Sequence, residues 1–336
     1  MTRFAACLLA ALMLCACERP APESPAPAAR PEPVVVYASF EDENYLPSLF
    51  ASFTAETGIP VTVRHRPEEQ IVSEVIEKRG SPPADLLLTR SVHGIWQATD
   101  EGALRPLQSQ EVALTVPGWL RDPDGYWTAI GFSPVRVVCG GDRLADCDGV
   151  KAYEDLGKPE FEGRLCLSAS SIAANRTLIA GLIADHGLRP AELMVRNWIA
   201  NLALPPFESE AALLHAVEAG TCRLAVVSSL ALNRFKLPTV AASWPQPGYF
   251  DVVAAGINRH ARSPEAARRL VEWLSGAAAM ATQFDAIGLR PVDAGVPAVG
   301  LPFPVAEGMR NANVFGLHEA EAIELAERAR GYWPRG

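Results

Sequence analysis

A short apolar run that ends in small polar residues constrains the fold of this chain more than any other stretch. Residues 223–227 read Arg-Leu-Ala-Val-Val, and residues 228–235 begin with two serines before helical spacing resumes. Such a run is typical of a strand that is buried on both faces of a parallel sheet. The carboxyl end of such a strand opens onto the crevice in which open α/β sheets bind ligands. We therefore expect the ligand site to include the polar residues that follow this strand.

Strand and helix patterns alternate along most of the 336 residues. Apolar, β-branched runs predict strands at 34–38, 61–63, 84–89, 127–138, 161–167, 223–227, 240–244 and 250–257. Helical periodicity predicts helices at 46–57, 68–79, 172–186, 190–202, 209–219, 263–274 and 317–330. The alternation favours an α/β fold with doubly wound, parallel sheets.

Two crossing segments divide the chain into two predicted lobes. Lobe 1 comprises residues 34–132 and 250–290, and lobe 2 comprises residues 133–249. The strand at 127–138 is expected to break at Pro134, and the strands at 240–244 and 250–257 are expected to return to lobe 1. Residues 291–336 are expected to form a C-terminal loop and helix that pack on the lobes.

The N-terminus predicts export. Arg3 precedes an apolar core and a small-residue cleavage site, and the core is too short to span a bilayer. The stretch Leu14-Cys15-Ala16-Cys17 resembles the bacterial lipobox, which implies that residues 1–16 are a lipoprotein signal peptide and that Cys17 is lipidated. An ordinarily cleaved soluble protein is the alternative. Residues 17–33 are a Pro-rich spacer, and Glu18 favours the outer over the inner membrane.

Four further cysteines, apart from those of the signal segment, are expected to form disulfides. An even number of thiols in an oxidising compartment pairs by default, and four cysteines allow three pairings. Cys139 and Cys147 flank a turn, while Cys166 and Cys222 each adjoin a predicted strand of lobe 2. We prefer these two bridges, Cys139–Cys147 and Cys166–Cys222, and neither pair has metal-site spacing.

Charge and motif content exclude several classes of function. The formal net charge of −9 argues against a nucleic-acid partner. The chain has no Gly-x-Ser-x-Gly, phosphate-loop or His-Glu-x-x-His motif, and its six histidines are scattered. We therefore expect neither an enzyme nor a bound cofactor.

Several motifs, taken in order, resemble a known family. They run through nearly all of the chain after the spacer and include Val35-Val36-Tyr37-Ala38-Ser39, Ala84-Asp85-Leu86-Leu87-Leu88-Thr89, Leu165-Cys166-Leu167 and Ala254-Ala255-Gly256-Ile257. The chain is similar to the iron(III)-type extracellular solute-binding proteins of ABC transporters. The resemblance implies a two-lobed periplasmic-binding-protein fold of type II, with doubly wound sheets joined by crossing hinge strands, and an inner-membrane permease as partner.

The residues that bind ferric ion in that family are not matched here. Leu230-Ala231 stands where the family has tandem tyrosines, and Ala174 stands where a further tyrosine precedes Asn175. The turn after the first strand carries Glu41-Asp42 in place of a histidine. The resemblance therefore implies the scaffold without its usual phenolate ligands.

Replacing three phenols with small or aliphatic residues predicts a larger and less polar cleft. The interpretation we favour is a periplasmic solute-binding lipoprotein that carries an organic, partly apolar ligand, such as a sterol or another lipid, for transport. The alternatives are a binding protein for a small organic anion (a phosphonate or carboxylate) and a residual ferric-ion-binding protein. The expected ligand-binding residues are Phe40, Glu41, Asp42, Arg90, Ser91, Ser170, Ser171, Ala174, Asn175, Ser228, Ser229, Leu230, Ala231 and Tyr249.

The expected partners follow from this interpretation. They are the ligand, a transporter permease and a membrane reached through the lipid anchor, and the protein is expected to be a monomer. A sensing role beside a membrane receptor is the alternative to transport.

Overall fold

A computed structural model describes residues 32–39, 45–77, 84–140, 147–235, 237, 239–276, 279, 289–293, 318 and 321–325. In these residues no helix is long and apolar enough to cross a membrane. The predicted signal peptide, Cys17 and almost all of the spacer lie outside the described residues. So does most of the predicted segment 291–336, of which 321–325 are helical.

The first lobe is built on three parallel strands. These are β1 (Val34–Ala38), β2 (Val61–His65) and β3 (Leu86–Thr89), in the order β2-β1-β3. The helices of this part are α1 (Tyr45–Thr57), α2 (Glu68–Glu77), α3 (Val92–Asp100) and α4 (Gln110–Thr115), and a two-residue strand, β4 (Leu104–Arg105), pairs with a later strand. Helices α3 and α4 and strand β4 were not predicted from the sequence.

Two long antiparallel strands join the lobes. Strand β5 (Trp127–Gly140) pairs with β9 (Phe250–Asn258) over its first half, and β9 pairs with β3. The predicted break at Pro134 is wrong, because β5 is continuous. Pro134 is the last residue of β5 that pairs with β9, and the next residue, Val135, pairs with β7. The N–H group that proline lacks is therefore missing only at the end of a ladder of hydrogen bonds.

The second lobe is built around the far half of β5. Strand β7 (Leu224–Ser228) pairs antiparallel with β5 and parallel with β6 (Leu165–Cys166). Strand β8 (Val240–Ser243) pairs with Val137–Gly140 of β5, so the prediction that it returns to lobe 1 is wrong, and only β9 returns. The helices are α5 (Ala173–His186), α6 (Leu188–Ala200), α7 (Glu210–Glu218) and α8 (Ser229–Phe235), and α9 (Pro264–Ser275) follows β9.

The whole sheet path is β2-β1-β3-β9-β5-β7-β6. It is mixed, because β9 and β5 run antiparallel to their neighbours, whereas the sequence predicted parallel sheets. The strand predicted at 161–167 shrinks to β6, since Phe161 ends a 3₁₀ turn. The predicted outer limits of the two lobes remain predictions.

Both predicted disulfides are present. One joins Cys139 of β5 to Cys147, and the other joins Cys166 of β6 to Cys222, which precedes β7. The second bridge ties the two parallel strands whose carboxyl ends face the ligand cleft.

Candidate ligand-binding cleft

A cleft of about 670 Å³ lies where the carboxyl ends of the parallel strands of both lobes meet. Its first-lobe lining follows β1, β2 and β3, and its second-lobe lining follows β6 and β7 and the starts of α5, α7 and α8. The lining residues are Ser39, His65, Arg66, Pro67, Glu68, Arg90, Ser91, Ser171, Ile172, Ala173, Arg176, Glu208, Ser209, Glu210, Ala211, Leu230, Ala231, Arg234 and Phe235.

Four arginines contribute positive charge to this lining, beside three glutamates. Arg66 and Arg90 come from the first lobe, and Arg176 and Arg234 come from the second. Within the part of the chain that the structure describes, the guanidinium groups of Arg90 and Arg234 have no carboxylate partner. Arg234 lies 6.0 Å from the ring centre of Phe235. A guanidinium without a carboxylate partner at the wall of a cleft is available to an anionic ligand.

The other two cleft arginines have contacts within their own lobe. The Arg66 Nη1 group donates to the carbonyl of His65, and its Nε lies 3.9 Å from a carboxylate oxygen of Glu74. The Arg176 Nη1 group donates to the carbonyl of Ser171. Because a guanidinium group stays charged in proteins, both side chains add positive charge to the lining.

Glu68 organises the first-lobe wall. It lies in the first turn of α2, and its Oε2 accepts hydrogen bonds from Ser39 Oγ (3.2 Å), Arg90 N (3.0 Å) and Ser91 N (3.2 Å). The Ser91 hydroxyl donates to the other carboxylate oxygen. One side chain thus holds together the loops that follow β1 and β3.

Glu210 has the corresponding place in the second lobe. It is the first residue of α7, and its carboxylate accepts from the backbone N–H of Ser228 and from Ser228 Oγ, the latter at 2.9 Å. Ser228 Oγ in turn accepts from Ala231 N at 3.1 Å. Each lobe therefore presents a carboxylate from the first turn of a helix to the polar end of a strand.

The positions at which the family resemblance expects tyrosines lie at the cleft. Leu230 and Ala231 line it, and Leu230 N donates to Ser133 Oγ at 3.0 Å. Ala174 lines a small cavity of about 20 Å³ at the base, together with Ser228 and Asp251. The side chains at these positions carry no oxygen that could ligate a metal.

Ala174 and Ser228 line only the small cavity, and four other predicted binding residues line neither it nor the main cleft. Asn175 is 1% exposed and donates to the carbonyls of Ser168 and Ala169, because its amide closes the turn before α5. Ser170 and Ser229 are buried within the turns that begin α5 and α8. Tyr249 is fully buried in the second lobe, beside Gly181.

The buried tyrosines are held by hydrogen bonds of their own. Tyr249 donates to Asp185 at 2.8 Å, and Tyr153 donates to the carbonyl of Val135 at 2.7 Å. Burial raises the pKa of both hydroxyls well above the usual range. Both therefore stay protonated, and neither supplies a phenolate. No tyrosine is among the described lining residues, and the described chain holds no cluster of three or more potential metal-ligating His, Cys, Asp or Glu side chains.

The remaining predictions for the site have mixed outcomes. Arg90, Ser91, Ser171, Leu230 and Ala231 lie in the lining, whereas Phe40, Glu41 and Asp42 lie outside the described residues.

The cleft residues that the sequence did not single out are mainly charged: Arg66, Glu68, Arg176, Glu208, Glu210 and Arg234. The sequence signal that could have found several of them is their position just after strand ends or in the first turn of a helix. These charges were not anticipated from Leu230 and Ala231, which form only a small part of the described wall. The prediction that the cleft is less polar than that of its family stays a prediction.

Two α/β lobes that are joined by crossing strands and flank a cleft have the architecture of two-lobed periplasmic binding proteins. The chain belongs to the bacterial extracellular solute-binding proteins, whose family model matches residues 81–310. These are binding proteins rather than enzymes, as predicted.

Individual relatives agree with this assignment. Iron uptake protein A1 of Synechocystis is 28% identical over 264 residues, covering 74% of this chain and 73% of that protein. The Fe(3+)-binding periplasmic protein of Serratia marcescens is 22% identical over 253 residues, covering 72% and 73%. A Trichodesmium protein solved in complex with iron and citrate ligands is 25% identical, with a TM-score of 0.81 over 90% of this chain and all of that one.

Proposed function

We propose that this protein captures ferric iron as an anionic complex with an organic polycarboxylate, for which ferric citrate is the model, and delivers it to an ABC transporter. The observation that carries the proposal is the set of four arginines, drawn from both lobes, around a cleft whose described lining has no tyrosine. The names of the relatives support iron as the cargo.

The chemistry of ferric iron explains how these two observations fit together. A small trivalent cation prefers hard, anionic oxygen ligands. A binding protein with phenolates at its cleft can supply such oxygens itself. This cleft offers guanidinium groups instead, so the anionic oxygens would come from a chelator that enters with the metal. Guanidinium groups bind the outer carboxylates of such a chelator in a bidentate manner.

Charge also argues against the lipid ligand predicted from the sequence. Covering guanidinium groups with an apolar body would remove their hydration without giving them partners, at a cost of roughly several kcal/mol. The cleft volume of about 670 Å³ accommodates a compact, highly charged complex. A metal-free carboxylate is the second candidate, because the same arginines would hold it.

Delivery to a permease, and tethering through a lipidated Cys17, complete the proposal. The family assignment supports the delivery, and the lipobox-like stretch before Cys17 supports the tether. Anchoring would keep the carrier close to the membrane in which it works.

Calorimetric titration of the metal-stripped protein tests the ligand. Ferric citrate, citrate alone and ferric iron from a weakly binding chelator are titrated separately, and iron and citrate are quantified after gel filtration. We expect ferric citrate to bind and both components to co-elute. Equal affinity for citrate alone would favour the metal-free anion, and iron retained without citrate would overturn the proposal.

Two substitutions test the arginines directly. Arg90→Gln and Arg234→Gln each remove a charged donor, worth about 1.5–3 kcal/mol, so affinity for ferric citrate should fall roughly ten- to hundredfold. Arg269→Gln is the matched control, because this exposed arginine on α9 is not among the lining residues. Unchanged affinity in both cleft variants would contradict recognition by these arginines.

A further inference from the structure

The end of β3 and the loop after β1 form a set of hydrogen-bond donors that the protein fills with its own carboxylate. The hydroxyls of Ser39 and Ser91 and the backbone N–H groups of Arg90 and Ser91 all point to Glu68. Convergent hydroxyl and backbone donors of this kind are what a phosphate or phosphonate group requires. Glu68 lies in this position while also lining the cleft.

A glycine makes room for this arrangement. A Cβ atom at Gly94 would lie 2.7 Å from Glu68 Oε1 and 2.8 Å from its Cγ, so a side chain there would displace the carboxylate. Gly94 lies inside α3, where glycine lowers helix stability. The close approach of Glu68 to the backbone of α3 therefore depends on a residue that helix propensity alone would disfavour.

The second lobe repeats the arrangement independently. Ser228 offers its backbone N–H and its hydroxyl at the end of β7, and Glu210 accepts both. Glu210 lines the main cleft and, with Ser228, the small cavity at its base. The donors at both strand ends are thus already engaged by negatively charged groups of the protein.

We infer that Glu68 and Glu210 are specificity-determining residues that exclude free phosphate, phosphonates and sulfate from the cleft. A small oxyanion would have to displace a tethered carboxylate and would meet its negative charge. A larger anionic complex can bind the arginines without using the strand-end donors. This inference deepens the proposed function, on which it rests for the nature of the accepted ligand, and it disfavours the phosphonate alternative.

A gain of binding tests this inference. Glu68→Ala, made in the full mature chain, leaves the two hydroxyls of Ser39 and Ser91 and the backbone N–H of Ser91 available, while Arg90 N keeps its hydrogen bond to Ser39 Oγ at 2.9 Å. Titration with inorganic phosphate and with methylphosphonate should show affinity at least roughly tenfold above that of the unaltered protein, the factor that one charge-assisted hydrogen bond supplies. Glu69→Ala is the matched control, because Glu69 is exposed on the same helix and is not in the described lining.

Two further variants keep the test decisive if Glu68→Ala does not fold. Glu68→Gln retains an acceptor for the loop and removes the charge, and Glu210→Ala opens the donors of the second lobe. Circular dichroism and thermal unfolding establish that each variant is folded. A folded Glu68→Ala or Glu210→Ala variant that gains no phosphate affinity would overturn the inference, as would phosphate binding by the unaltered protein with equal affinity. Glu68→Gln, which still occupies the donors, should gain less affinity than Glu68→Ala.

Ferric citrate, titrated into the same samples, separates this inference from the proposed function. Binding of ferric citrate by the unaltered protein, without a phosphate gain in the variants, would refute only the inference. A phosphate gain in the variants, without ferric citrate binding by the unaltered protein, would refute only the proposed ligand.

Discussion

Asp85 holds three segments of the first lobe together, and its removal should lower stability in a measurable way. The side chain is 3% exposed at the start of β3. Its Oδ2 accepts from Val35 N at 2.9 Å, and its Oδ1 accepts from Arg262 N at 2.7 Å and Ser263 N at 3.1 Å. One carboxylate therefore joins β1 to the loop that precedes α9.

The expected loss follows from the donors that would be left without an acceptor. An unsatisfied buried donor costs about 1–3 kcal/mol, and we assign about 2 kcal/mol to Val35 N. The loop at Arg262 is partly exposed, so water can replace some of its hydrogen bonding, and the two loop donors should add about 1–2 kcal/mol together. Asp85→Ala should therefore lower the free energy of unfolding by about 3–4 kcal/mol, or Tm by roughly 6–12 °C.

Urea unfolding and calorimetry measure this loss. Asp85→Asn retains one oxygen acceptor and should lose about half as much. Asp124→Ala, at an exposed turn position, is the control and should change stability by less than about 0.5 kcal/mol. If Asp85→Ala and Asp124→Ala have the same Tm, the view that the Asp85 carboxylate holds these segments together would be refuted.

Three further predictions concern lobe 2 and the cleft. Replacing Cys166 and Cys222 together by serine opens a loop closed at a sequence separation of 56 residues, which should lower stability to urea by about 4 kcal/mol; an unchanged urea midpoint would contradict this. Gly181→Ala puts a Cβ 2.2 Å from Tyr249 Cδ1 and should cost about 1–3 kcal/mol in thermal unfolding, whereas Gly118→Ala, with open space around it, should not; equal losses would argue against the close packing of Tyr249. The iron-loaded protein should lack a visible phenolate-to-iron charge-transfer band, because no tyrosine is in the described lining; such a band would show direct phenolate ligation.

Much of the scaffold could be predicted from local pattern. The β-branched run at Val34–Ala38 and the apolar run ending at Ser228 are strands because each is apolar throughout and bounded by polar residues. Both disulfides could be anticipated, because Cys139 and Cys147 flank one turn and Cys166 and Cys222 each adjoin a predicted strand of lobe 2. The errors occur where pairing partners, rather than local pattern, decide the structure, as in the continuity of β5 and the pairing of β8.

The candidate site was less predictable than the fold. Arg90 and Ser91 could be named because they follow a strand end directly. Glu68 and Glu210 resemble ordinary first-turn acids, which are favourable near any helix N-terminus. Only their contacts with Ser91 and Ser228 distinguish them from solvated residues.

The sequence by itself indicated an α/β, two-lobed plan, and it has Leu230, Ala231 and Ala174 where the family resemblance implies tyrosines. These properties are local or lie in the identity of single residues, so no contact is needed to see them. The tertiary structure alone decided that the cleft is charged, because its arginines and glutamates come from strand ends and helix starts that are far apart in the chain. Folding brings these charges to one place, and the ligand that we propose follows from them rather than from the residues at positions 174, 230 and 231.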